Sequence, residues 1–208
     1  MNPKWAEENL QTIRTLMERS AVYRRALAPV MMVCGIAGLA GGVAGWQWGL
    51  NSYSAFVIVW TTTAVFALTC SILLMRQQAL KDSEPFWSAP TRRIAQAMTP
   101  SFLIGAVMAG LLFILGEVKG AEEVVILVWC LMYGCGIHAA GFFMPRGIRW
   151  FGWLFILVGL GLATCLIEGA DLFRVFSSMH LLMAAIFGGL HLAYGIYLYF
   201  TEKKNPIA

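Results

Sequence analysis

AFVIVWTTTAVFALTCSILLM, residues 55–75, decides the fold. The stretch contains no Asp, Glu, Lys or Arg. As a helix rising ~1.5 Å per residue it is about 30 Å long, the thickness of a bilayer's hydrocarbon core. A helix at a water boundary keeps a charged face, and this one has none. Five more stretches share its character: Ala28–Trp46, Pro100–Leu115, Val124–Met144, Trp150–Ile167 and Met179–Phe200. The expected fold is an all-α polytopic membrane protein with six transmembrane helices. Residues 1–25 form a separate element, 26–200 the transmembrane domain and 201–208 a short tail. More than 25 residues of charged chain precede the first apolar run, unlike a cleaved secretory signal.

Six spans put both termini on one side. Lys4, Arg14, Arg19, Arg24, Arg25, Arg76, Lys81, Arg92, Arg93, Arg146, Arg149, Lys203 and Lys204 all fall on that side, leaving only Lys119 and Arg174 for the other. Cationic side chains resist translocation, so the basic side is read as cytoplasmic, with both termini inside. The opposite face carries Glu117, Glu122, Glu123, Glu168 and Asp171. The formal charge of +4 is thus an orientation signal and an attraction to anionic headgroups, and nucleic acid is not expected as a partner. Trp46, Trp48 and Tyr53 suit the outer headgroup zone, and Trp150, Tyr197 and Tyr199 the inner one. Trp60 and Trp129 are expected between helices.

Outside the lipid, Asn2–Pro3 reads as an N-cap followed by proline at the first helical position. Leu10, Ile13 and Met17 share one stripe of the helix that follows, while Glu7, Gln11, Arg14, Glu18 and Arg25 occupy the other side. Such an amphipathic helix either lies in the headgroup region or docks a cytoplasmic protein. Between spans two and three, Pro85, Phe86, Trp87 and Pro90 read as breakers. Phe86 and Trp87 are candidates for lipid or partner contact. Thr91–Met98 reads as a short helix, and Thr99–Pro100 as a fresh start for span three.

Inside the lipid, Gly38 and Gly42, and Gly41 and Gly45, have the four-residue spacing that lets helix backbones approach. They serve packing within the chain or a homodimer. Cys34, Cys70, Cys130, Cys135 and Cys165 lie within spans and show no C-x-x-C spacing. The Thr61–Thr63 run is expected to hydrogen-bond its own backbone.

The histidines carry the one chemical suggestion. Counted from the inner ends of spans four and six, His138 and His191 come out at similar depth. Gly134 and Gly141 flank His138, and Gly188 and Gly195 flank His191, each on the histidine's own face. The pentapeptides Gly136–Ala140 and Gly189–Ala193 echo each other. Two imidazoles from different helices can ligate haem b, the glycines leaving room for the macrocycle. Alternatively each histidine is a packing contact bonded to a carbonyl, to Tyr133 or to Tyr194, or it serves a metal or a proton relay. No intramembrane carboxylate extends such a relay, and no proline breaks a span at its midplane as in many transporters.

The opening ENLQTIRTLMERSAVYRRALAP, residues 8–29, followed by a glycine-rich span, resembles a set of uncharacterised bacterial inner-membrane proteins. These share an IRxLMERS-type helix and a Gly-x-His motif in the last span, here Gly189-Leu190-His191. The likeness covers mainly the first 45 residues and the last span. It implies the architecture and a bacterial inner membrane, and no chemistry. The leading expectation is a scaffold, sensor or accessory subunit rather than an enzyme, followed by a b-type haem protein and by a transporter or channel for a small solute.

Overall fold

A computed structural model describes residues 26–115, 120–169 and 175–202. The expected helix over residues 2–25 and the tail from 203 lie outside the described residues. Six helices are long and apolar enough to cross a membrane: α1 (Ala26–Gln47), α2 (Tyr53–Lys81), α3 (Ala89–Leu115), α4 (Ala121–Ala140), α5 (Arg146–Ile167) and α6 (Met179–Thr201). No strand occurs among the described residues. This is an all-helical chain with the dimensions of a multi-pass membrane protein.

The six spans appear where the apolar runs predict them, with shifted ends. Span four stops at Ala140, not Met144: Gly141 caps the helix and residues 141–144 turn toward α5. These residues are as apolar as the helix before them, so hydropathy does not mark the boundary. Span three does not restart at Thr99–Pro100, since α3 runs unbroken from Ala89 with Pro100 inside it. A proline removes one amide donor and crowds one carbonyl, which a membrane helix tolerates when nearby hydroxyls support the turn. The Thr99 hydroxyl donates to the Ala95 carbonyl at 2.7 Å, beside the proline. Pro90 also lies inside the helix, in its first turn, where no amide donor is required.

Helices α1 and α6 run antiparallel and nearly touch at their backbones. A Cβ built on Gly35 would fall 2.5 Å from Leu192 N, and one on Gly38 would fall 2.8 Å from Gly188 Cα. Further along, Gly42 meets Ala184 and the His180 carbonyl, and Gly45 meets the His180 ring. Gly41 points elsewhere, against Thr63 of α2. The glycines of span one therefore face α6 and α2 of the same chain. A second close crossing joins α4 to α5. There a Cβ on Gly134 would lie 2.8 Å from Ile156 N, and one on Gly152 2.6 Å from His138 N.

These crossings leave α1, α4 and α6 most enclosed and α2 and α3 at the perimeter. Single bonds tie the outer helices in. The Tyr53 hydroxyl of α2 donates to the Ala109 carbonyl of α3 at 2.9 Å, and Trp129 Nε1 of α4 donates to the Gly105 carbonyl of α3 at 3.0 Å. Cys34 of α1 and Ser71 of α2 are 3.4 Å apart, and Thr63 Oγ1 donates to Val59 O of its own helix. Exposed apolar side chains such as Ile58, Phe66, Leu103 and Leu111 cover α2 and α3, as lipid-facing surfaces require.

Replacing Gly38 by Ala is expected to destabilise the bundle by about 1–3 kcal/mol, because the new methyl meets backbone that cannot step aside. Gly110, with nothing within 4 Å of its Cβ position, is the control, and Gly110→Ala should be neutral or slightly stabilising. Unfolding in mixed micelles measures both.

Candidate functional site: a tyrosine–histidine pair inside the bundle

Helix α6 is not a uniform α-helix. Its residues Ala184–Gly189 form a π-helical turn, a widened turn of the kind that recurs at functional sites. His191 follows two residues after it. Its ring Nδ1 lies 2.6 Å from the Phe187 carbonyl, four residues back. A carbonyl only accepts, so Nδ1–H donates, and in the neutral ring Nε2 is then the acceptor. Tyr133 of α4 meets it: its hydroxyl lies 2.5 Å from Nε2. The chain Tyr133 O–H to Nε2, then Nδ1–H to Phe187 O, leaves neither imidazole nitrogen unbonded.

Aromatic rings enclose the pair. Phe151 and Phe155 of α5 stand edge-on to His191, with centroids 5.1 and 5.5 Å away. Phe155 and Phe187 stand edge-on to Tyr133 at 4.8 and 5.4 Å, and Phe102 of α3 stacks on it at 5.9 Å. Phe151 in turn stacks on Tyr194 at 4.6 Å. Side chains of α3, α4, α5 and α6 thus converge on one polar contact, and His191 is 4 % exposed. An unbonded polar group in hydrocarbon costs several kcal/mol, so the two groups need each other.

His138 is placed differently. It lies in the last turn of α4, and its Nδ1 is 3.4 Å from the Arg149 carbonyl. Its ring neighbours are Phe142 and Trp153, and neither touches His191. The expectation of equal depth therefore fails. His191 meets α4 at Tyr133, five residues before His138, which is ~7.5 Å along the axis at ~1.5 Å per residue. The error follows from reading span four through to Met144.

Nor do the flanking glycines leave space for a flat ligand. Gly134 faces Ile156, Gly141 faces Arg149, Gly188 faces Leu39 and Gly195 faces Met32, each at helix-contact distance. The surroundings do not fit haem b held between His138 and His191. Both nitrogens of His191 are bonded, the phenylalanines pack around it, and the glycine clearances are filled by neighbouring helices. No group of three His, Cys, Asp or Glu suited to a metal occurs among the described residues.

The third histidine forms a second tie. His180, 2 % exposed, follows the capping Ser178 and sits under Gly45. Its Nε2–H donates to the Leu50 carbonyl at 2.9 Å, fastening the α1–α2 connection to the start of α6. The ring leans on Phe56 at 5.0 Å. Trp87 stands 62 % exposed between α2 and α3, while Phe86 is half-buried and its carbonyl accepts from Thr91. Leu10, Ile13 and Met17 lie outside the described residues.

The phenylalanines around the pair carry no signal in the sequence, being apolar residues in apolar runs. The four-residue spacing of Phe151 with Phe155 and of Phe187 with His191 is the one available cue. Tyr133→Phe and His191→Leu should each destabilise the bundle, and the double variant should cost less than their sum by about 1 kcal/mol, the scale of intramembrane hydrogen bonds. A strictly additive cycle in micelle unfolding would remove the bond from the account.

No protein family, curated protein or solved structure matches this chain.

Proposed function

We propose that this chain is a multi-pass protein of a bacterial inner membrane, with both termini in the cytoplasm. It acts as a scaffold, sensor or accessory subunit, without chemistry of its own. One observation carries the reading: among the described residues, the buried polar side chains bond to each other or to nearby backbone, with Trp60 Nε1 and His180 Nδ1 as the exceptions. Tyr133 bonds His191, Tyr53 and Trp129 bond carbonyls of α3, and His180 bonds Leu50. Such groups hold helices in place. A solute path would instead present them to a water-filled passage.

The cytoplasmic contact is the segment 2–25. Its sequence sets Leu10, Ile13 and Met17 on one stripe and Glu7, Gln11, Arg14, Glu18 and Arg25 on another. The apolar stripe rests in the headgroup region and the charged side faces a protein. The orientation is supported by the basic residues gathered on the side of both termini.

A photo-cross-linker at Arg14, on the charged side, should capture a discrete protein band in intact cells, while one at Ile13 should capture lipid. Lipid adducts from both positions, together with no partner retained on mild-detergent pull-down, would refute the proposal. A cytoplasmic reporter fused after Ala208 should be active, and a reporter active only in the periplasm would invert the topology.

A further inference from the structure

Where α4 gives way to α5, a cation and an unoccupied imidazole nitrogen stand on an aromatic platform. Gly141 lets the two helices close up: a Cβ there would fall 2.5 Å from Arg149 Cγ. The Arg149 guanidinium carbon lies 5.2 Å above the Phe142 ring, a cation–π distance. His138 sets its ring edge-on to Phe142 and to Trp153, both at 5.5 Å. Its Nδ1 faces the Arg149 carbonyl and therefore carries a proton. Among the described residues no group bonds its Nε2, and that atom is not sealed from the surroundings. Arg149 forms no ion pair with a carboxylate among the described residues.

The position decides what such a cluster meets. It lies at the ends of two spanning helices, at headgroup depth. Phe142 is 64 % exposed and Trp153 44 % exposed, so the platform opens outward. From Trp153 an exposed stripe continues along α5 through Leu157 and Leu160. These residues recur at the spacing of one helix face, leading from the cation into the hydrocarbon. A positive group at the boundary with an apolar track below it complements a molecule having an anionic head and an acyl tail.

We propose that the His138–Arg149 cluster binds one anionic phospholipid. The Arg149 guanidinium takes two oxygens of the phosphate, the geometry a planar fork favours. The His138 ring turns Nε2 toward the headgroup while Nδ1–H keeps its bond to the Arg149 carbonyl. One acyl chain lies along Trp153, Leu157 and Leu160. A zwitterionic headgroup brings a second cation beside Arg149 and binds less well. The site assigns a role to His138 that does not depend on the closed pair at Tyr133–His191.

Native mass spectrometry of the full chain, delipidated and offered equal amounts of phosphatidylglycerol and phosphatidylcholine with matched tails, tests the proposal. The first bound lipid should be phosphatidylglycerol by about tenfold, the scale of one charge-assisted hydrogen bond. Arg149→Gln should abolish the preference and His138→Phe should reduce it. Arg149→Lys, which keeps the charge but loses the fork, should fall between. Arg76→Gln, removing a cation on α2 outside the cluster, should leave the preference intact. Equal binding of the two lipids by the unaltered protein, or a loss with Arg76→Gln as large as with Arg149→Gln, would overturn it.

Discussion

Lipid tails are as apolar as leucine, so two helices in a bilayer gain little from pressing apolar faces together. What holds α1 to α6 is contact between backbones, made possible where side chains are missing. Gly35, Gly38, Gly42 and Gly45 meet Leu192, Gly188, Ala184 and His180 in antiparallel order along the crossing. The polar features of α6 depend on that ladder. His180 fits under Gly45 because no methyl stands there, and the π turn that supplies the Phe187 carbonyl contains Gly188, pressed against Leu39. The crossing of Gly134 with Gly152 does the same for α4 and α5. It brings Tyr133 and Phe155 within 4.8 Å of each other and so closes the cage around His191.

The bilayer also explains which parts of the fold were legible in the chain. Absence of charge over residues 55–75 and its five counterparts is enough to count spans, because burying a charge in hydrocarbon is costly. Where a span ends is harder to read. Phe142, Phe143 and Met144 are apolar although they form a turn, and nothing in their hydropathy distinguishes them from the helix before them. Pro100 reads as a start and proves to be internal, since the decision rests on hydroxyls and neighbours that one-dimensional spacing does not contain. The glycines show the same division. Their four-residue spacing announces close approach, but spacing cannot say that Gly38 and Gly42 turn to α6 while Gly41 turns to α2.

At the site, the histidines stand out because ionisable side chains are unusual in apolar runs, while the glycines beside them are ordinary in membrane helices. The partners of the histidines do not stand out. Phe102, Phe151, Phe155 and Phe187 are ordinary membrane residues until four helices bring them around one hydrogen bond. Tyr133 and His191 lie on different helices, and the relative heights of α4 and α6 bring them together. Those heights are a property of the crossings between helices, which no local pattern encodes.

The echo between Gly136–Ala140 and Gly189–Ala193 shows how far context outweighs motif. Both carry Gly-x-His-x-Ala, and both histidines use Nδ1 to reach a carbonyl, His138 that of Arg149 and His191 that of Phe187. The second nitrogen decides the difference. In α6 it lies deep in the bundle opposite the Tyr133 hydroxyl, walled by rings, where exchange with any other ligand would leave that hydroxyl unbonded in hydrocarbon. In α4 the helix ends two residues later, so the same nitrogen stands at the boundary beside Arg149 and Phe142 with no described residue bonded to it. The first arrangement suits a lock and the second a recognition group. One pentapeptide pattern yields both because its depth in the bilayer sets whether the free nitrogen meets protein or headgroup.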